Sequence, residues 1–375
     1  LNILGLAIGV SCLIIAVLYF DYNLQYNKGH ENEDRIYRVL RHVEDAKGLR
    51  YDANTHAVAP YLKAALPEIE EAARVLNRPM LVTYGDEGYS ERVAVADTSF
   101  VRIFSVRMVE GDSQTGLYEN GSCFVTESYA AKVFGDRSPI GETIAVSYKW
   151  FEGDLTIAGV MKDAPPKTHP LLKFSILAAT YRDRIEWKER LWDTWPTRHN
   201  AVPLRTYLLL REGTDLEAFR EKVYQFSVQH PTPDFKREVD YVIQRFDEAH
   251  LYTLRDFGIQ DLGEDINRCL GILGIGMLVL ILACLNYVNL VTAQAPVRAR
   301  EVGMRKVSGA MRGHLIGQFL GESVLVAMIA FAIAVGLTWI SLPIVTDILG
   351  IALKIRETSL SVVLGLPLLV IPLIG

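Results

Sequence analysis

The residues best suited to act on a partner lie in a short basic stretch, Ala295 to His314, reading APVRAREVGMRKVSGAMRGH. It sets Arg298, Arg300, Arg305, Lys306 and Arg312 against a single acid, Glu301, between two apolar runs long enough to cross a bilayer. Positive charge in a short loop between spans marks the cytoplasmic side. From Pro296 onward the pattern predicts a helix, with Val297, Val302, Val307 and Met311 at spacings of four or five that group them along one side. The chemistry on offer is recognition: valines to fill a groove, arginines to pair with an acidic rim, and Gly303 and Gly309 to allow close approach or a bend. Charge alone would favour a topogenic loop lying on anionic lipid; the glycines weigh toward coupling.

Bond-making chemistry finds no comparable support. The sequence has no Gly-Lys dipeptide, so no phosphate-binding loop of the usual nucleotide-hydrolase type can be written. His-Glu-x-x-His is missing, the eight histidines are scattered, and Ser128 at the head of a predicted helix lacks the Gly-x-Ser-x-Gly elbow. The expectation is of no catalytic residue, no metal and no cofactor held by this chain. Gln318 and Glu322, one turn apart near the start of an apolar run, are candidates for coupling inside the membrane, because a carboxylate there is costly unless paired or reached by water. A snorkelling interfacial glutamate is the alternative. Asn286 and Asn289 read as hydrogen-bond donors between helices. Tyr51, Asn54 and Trp192 to Pro196 would line a substrate surface or, more ordinarily for aromatics, a core.

These residues must be positioned by membrane spans. A first apolar run, about Ile3 to Phe20, has no charge and is long enough for most of the ~30 Å hydrocarbon core. Leu18, Tyr19 and Phe20 occupy the place of a small-residue cleavage site, so it reads as an uncleaved anchor (residues 1–20). Gly5 and Gly9 form a pair able to seat another helix closely. A second span covers about 270–291, the coupling helix about 296–314, a third span about 315–342, and a fourth run begins near 358 and continues to Gly375. An outer loop is expected to hold Asp347, Lys354, Arg356 and Glu357. Such a chain is expected to be a piece of a longer one.

Between the spans, residues 21–265 form an extracytoplasmic domain with 40 acidic against 31 basic residues, whereas from Ile266 onward 8 basic residues face 4 acidic ones. An acidic domain of this kind makes nucleic acid an unsuitable partner. Cys123 is the one cysteine well inside it, so no disulfide forms within it. Helices are expected over 56–66 and 127–134, and from an N-cap at Thr214 through Phe226. Strands are expected over 80–84, 91–96, 124–126, 143–147, 155–161, 174–177, 206–210 and 239–246. Elements mix without regular βαβ alternation, which predicts a two-lobed α+β domain beside an α-helical transmembrane bundle.

With these parts in order, the chain resembles the FtsX-like and MacB-like permeases of ABC transporters. The likeness is strongest in LNYVNLVTAQAPVRAREVGMRKVSGAMRGHLIGQFLGES, Leu285 to Ser323, and recurs in CFVTESYAAKVFGDRSPIGETI from Cys123, NEDRIYRV from Asn32, ADTSFVRIFSVRMVEGD from Ala96 and TIAGVMKDAPPKTHPLLKFSIL from Thr156. The resemblance implies a MacB-like core domain outside a bacterial inner membrane. It further implies a separate cytoplasmic ATP-binding subunit that holds ATP and Mg²⁺, and mechanical transmission for export or extraction of a lipophilic or peptidic substrate. Glu301, Val302, Gly303, Arg305, Lys306, Gly309 and Ala310 match the family's coupling motif, with Arg298 and Arg300 beside them. Further partners implied are a second permease copy or a second internal repeat, the lipid itself, and a periplasmic protein. Pro296 departs from the usual pattern but is tolerated at a helix start. A membrane signalling receptor is the competing reading; it would continue from the second span into a cytoplasmic signalling domain, whereas here some twenty residues lead back to the membrane.

Overall fold

The computed structural model describes residues 2–28, 30–45, 48–52, 58–113, 116–117, 121–148, 151–165, 167–169, 172–179, 204–230, 239–251, 265–308, 311–349, 351 and 353. The chain divides into a helical unit, Leu1–Gln25 with Glu264–Gly375, and a strand-rich unit, Tyr26–Gly263. The helical unit begins with α1 (Asn2–Leu24). The strand-rich unit runs β1 (Ile36–Asp45), β2 (Gly48–Asp52), α2 (Val58–Ala65), β3 (Ile69–Tyr84), β4 (Glu87–Ala96), α3 (Phe100–Ile103), β5 (Met108–Glu110), β6 (Ser122–Thr126), α4 (Glu127–Phe134), β7 (Thr143–Tyr148), β8 (Phe151–Met161), β9 (Ile176–Ala179), β10 (Arg205–Leu210), α5 (Leu216–Gln229) and β11 (Val239–Arg245). The chain then returns to the helical unit with α6 (Ile266–Ala293), α7 (Ala295–Val307) and α8 (Arg312–Leu349).

The strands form one mixed sheet of eleven among the described residues, ordered β11-β1-β10-β3-β4-β9-β6-β8-β5, with β2 on β1 and β7 bridging β3 and β8. Two of its pairings, β4 with β9 and β6 with β8, are parallel. The bridge made by β7 closes a ring: β3 pairs β4, β4 pairs β9, β9 pairs β6, β6 pairs β8, β8 pairs β7, and β7 returns to β3. What permits closure is the length of β3, whose 16 residues pair first with β10 and then with both β4 and β7.

Side chains alternate across a strand, so every second residue of the ring points inward. Met80 and Val82, Val93 and Val95, Cys123 and Val125, Ile144 and Val146, Leu155 and Ile157, and Ile176 and Ala178 meet there in one core, with Tyr129 and Phe134 of α4 packed in. Alternate residues of β4, β6 and β9 (Ala94, Phe124 and Leu177 among them) face a second core with Ile36, Phe100, Phe104, Tyr207 and Phe246. Burial on both faces explains why these strands read as unbroken apolar runs. A third core sets Tyr37, Leu208 and Ile243 of β1, β10 and β11 against α2 and α5.

Local chemistry fixes the helix ends. Thr126 caps α4 by accepting from the Tyr129 N–H, and Gly135 closes the helix in a positive-φ conformation that a side chain would resist. At α5 the cap is Asp215, whose carboxylate accepts from Glu217 and Ala218 N–H at 3.1 and 3.2 Å, and not the expected Thr214, whose hydroxyl instead donates to Arg211 O. Strands β1, β2 and β5 and the short α3 are additions to the elements the sequence suggests.

Candidate coupling segment

Among the described residues, three helices are long and apolar enough to cross a membrane: Ile3–Leu24, Ile266–Ala293 and Gly313–Leu349. Asp265 caps α6 by accepting from the Asn267 N–H at 2.8 Å. Helix α1 packs against both α6 and α8. A Cβ built on Gly9 would lie 2.9 Å from Ala283 Cβ and 3.3 Å from Leu280 Cα; one on Gly276 would lie 2.9 Å from Ala16 Cβ and 3.3 Å from Leu13 Cα. The two glycines therefore bring the backbones of α1 and α6 together twice, nearly two turns apart at ~3.6 residues per turn, and Gly5 faces Asn286 at 4.0 Å. On the α8 side, Ala330 and Ala334 are fully buried and Ser11 Oγ meets Thr338 Oγ1 at 2.9 Å. Outward, Ile275, Leu278 and Leu282 of α6 and Leu325, Ile340 and Ile348 of α8 are exposed by 56–77%.

The basic segment connects α6 to α8 but is not one helix. Gln294 separates α6 from α7, and α7 ends at Val307, its last helical bond running from the Ser308 N–H to the Met304 carbonyl, which the Ser308 hydroxyl also reaches, both at 3.1 Å. The Met311 carbonyl then accepts from His314 and Leu315 N–H, so residues 312–314 open α8 and do not close the coupling helix. At its other end α8 runs through Pro343 to Leu349, where the Thr346 hydroxyl donates to the Leu342 and Pro343 carbonyls. Asp347 is thus helical, not in an outer loop; the expected positions of Lys354, Arg356, Glu357 and the fourth span lie outside the described residues, as do Asn54 and Trp192 to Pro196.

Of the candidate contact residues, Arg298, Arg300, Glu301, Val302, Gly303, Arg305 and Lys306 sit on α7, whereas Gly309 and Ala310 lie outside the described residues. Arg300, Gly303 and Arg305 are exposed, and Val302 is half-buried. Among the described residues of the segment, the large apolar side chains exposed are Met304 at 69%, Val307 at 91% and Met311 at 73%. Grouping by fours and fives missed Met304: at ~3.6 residues per turn Val302 and Val307 diverge, while Met304 and Val307, three apart, share a face. Arg305 donates from NH1 to Gln318 Oε1 at 2.8 Å, tying α7 to the first turns of α8, and Glu322 follows one turn later on an exposed face.

In the strand-rich unit the segments nearest the first and second spans are clasped together. Tyr26 stacks on His250 with ring centroids 3.6 Å apart. Asn27, fully buried in a left-handed conformation, donates from Nδ2 to Phe246 O at 2.9 Å and accepts at Oδ1 from the His169 N–H at 2.7 Å. Nothing in the sequence marks Asn27 beyond the tolerance of asparagine for positive φ.

Comparison with known proteins places these features. The sequence profile of the MacB-like periplasmic core domain matches residues 1–226, and that of the FtsX-like permease C-terminal region matches residues 273–375. A Bacillus subtilis (strain 168) protein described as an uncharacterized ABC transporter permease, YknZ, is 24% identical over 362 residues, 93% of this chain and 83% of its own length. The macrolide export ATP-binding/permease protein MacB of Neisseria meningitidis serogroup A is 23% identical over 295 residues, 76% of this chain, which spans 40% of that protein. The crystal structure of the periplasmic region of MacB from Actinobacillus actinomycetemcomitans covers 57% of this chain and 89% of its own, at 10% identity and a TM-score of 0.39.

Proposed function

The chain belongs to the ABC transporter permeases that combine a MacB-like periplasmic core domain with an FtsX-like permease region, and from that premise we propose that α7 docks on an ATP-binding subunit and passes its motion to the periplasmic domain. The observation that carries this reading is the pair Met304 and Val307, exposed by 69% and 91% on a basic helix between two candidate spans. Large apolar side chains exposed together on a charged helix suit an interaction surface, and methionine adapts readily to a partner's groove. Arg300 and its charged neighbours then pair with the partner's rim, while Arg305 holds α7 against α8 through Gln318. Nucleotide-driven closure of the partner moves α7, α8 follows, and α1 follows α8 across the Ser11–Thr338 contact.

The output is export or extraction of a lipophilic or peptidic substrate from the periplasmic side of a bacterial inner membrane. The full bundle includes a fourth span, and an ATPase that works as a dimer calls for two such bundles, from a second copy or an internal repeat. ATP and Mg²⁺ belong to the partner, and the two-lobed domain offers a surface to a periplasmic protein. A second arrangement, with the ATP-binding domain fused in one longer polypeptide, is favoured by the names of the MacB relatives, of which this chain spans 40%.

The test is affinity purification of the full-length protein from its native membrane, with identification of co-purifying proteins and assay of ATP hydrolysis. An ATP-binding subunit should accompany the unmodified protein and be lost with Met304→Asp, Val307→Asp or Arg300→Glu. Its retention by all three variants would overturn the docking assignment. Its absence from the unmodified protein, with no fused domain, would favour the receptor reading.

A further inference from the structure

The strand-rich unit carries a cleft in two lobes, of about 260 and 500 Å³, that the coupling reading does not use. The lobes adjoin: Thr126, Asp163, Ala164 and Phe174 line both. Arg107 and Lys162 line the smaller lobe, and Arg92, Lys132 and Lys173 line the larger. The acids of the lining are Glu31, Glu91 and Asp163. Five basic groups against three acidic ones reverse the balance of residues 21–265, where acids outnumber bases by 40 to 31.

Two of the three acids are already engaged. Glu91 accepts from Lys132 Nζ and from the Ser175 hydroxyl, both at 2.6 Å, and Asp163 accepts from the Ser128 hydroxyl. Arg92, Arg107 and Lys162 are exposed, and their side chains make no hydrogen bond or ion pair among the described residues. What the cleft leaves unmatched is therefore positive charge, and a concave, low-dielectric wall focuses that field on an anion. Burial lowers the pKa of Lys173 in the larger lobe, an effect that a neighbouring negative group opposes. The Ser90 and Thr126 hydroxyls supply hydrogen bonding between the charged groups, and the larger lobe falls within the ~300–1,000 Å³ of ordinary ligand sites.

We propose that this cleft binds an extended acidic peptide, with carboxylates on Arg107 and Lys162 in one lobe and on Arg92 and Lys173 in the other, and its backbone across the hydroxyls between them. A compact anion would engage one lobe alone; cations in both call for a chain whose negative charges are spaced along it. Amides along that chain suit the serine and threonine hydroxyls. The site lies within the strand-rich unit and takes nothing from α7: either assignment can fail with the other intact.

Fluorescein-labelled hexaglutamate is the probe, with hexaglutamine as its neutral counterpart and free glutamate as its unlinked one. Anisotropy measured on the full chain in phosphatidylcholine nanodiscs, with empty discs subtracted, should show saturable binding of hexaglutamate, and hexaglutamine should bind at least ~10-fold more weakly. Because α7 is also basic, the location is read by hydrogen exchange on the unmodified chain: hexaglutamate should slow the amides of residues 126–129 and 161–164 and leave those of α7 unchanged. Arg92→Glu, Arg107→Glu and Lys162→Glu together should weaken binding at least ~10-fold, whereas Arg220→Glu on α5, outside the cleft, should not. Absence of saturable binding, equal affinity for hexaglutamine, protection confined to α7, or displacement by free glutamate at the same carboxylate concentration would each overturn the assignment. The exchange measurement needs no variant, so a misfolded triple variant does not obscure it.

Discussion

Inside the ring of strands every second position is filled by an aliphatic side chain, as with Val82, Ile144 and Ile157. Where α1 and α6 come closest there is almost no side chain at all, only Gly9, Gly276, Ala16 and Ala283. In water the burial of apolar area drives association at ~25 cal/mol per Å², so a core gains by carrying large side chains. Between helices that are apolar all round, lipid competes on equal terms with a neighbouring helix, and what favours the neighbour is close approach and a few polar contacts. The strand-rich unit should therefore suffer most from atoms removed, and the helical unit from atoms added.

The largest effect should come from emptying the ring. Ile157→Ala takes several carbons from a fully buried site and should cost about 2–5 kcal/mol, read as earlier unfolding of the strand-rich unit by hydrogen exchange with the helices unaffected. Filling the helix contact should come next: Gly276→Leu places atoms where a Cβ alone already lies 2.9 Å from Ala16 Cβ and 3.3 Å from backbone, at about 1–3 kcal/mol. If Gly276→Leu left the thermal transition of the detergent-solubilised chain unchanged, the contrast between the two regions would collapse. Ser11→Ala tests the polar contacts and should cost about 0.6 kcal/mol, because Thr338 Oγ1 keeps its bond to the Ala334 carbonyl.

The smallest effect is one of pH and belongs to the strand-rich unit alone. Burial holds His30 below its ordinary value of 6.5, against the opposing influence of the Phe104 carbonyl and Glu33. The unfolded chain then binds more protons than the folded one, so stability falls as pH drops from 6.5 toward the lowered value and levels off below it. His30→Phe should abolish that slope in unfolding midpoints measured on either side of 6.5. A slope that survives the substitution would assign the acid sensitivity to other groups.

Much of the architecture was legible from near neighbours in the chain. Uniform apolarity over eighteen or more residues marked the spans, and Thr126, Glu127 and Gly135 bounded α4 because capping and positive φ are properties of a few adjacent residues. The basic stretch between spans pointed to α7, which ends at Val307 and not at the expected residue 314. Pairings between distant segments were decided only in three dimensions. Whether β7 returns to β3 depends on Val82 meeting Val146, 64 residues away, and nothing local to either encodes it. Likewise Gly276 is an unremarked residue of an apolar helix until Ala16 lies against it. Sequence by itself determined which residues are apolar, charged or bent, since those are chemical facts of each side chain. The tertiary structure decided which of them are covered, because coverage depends on partners that the chain brings from far away.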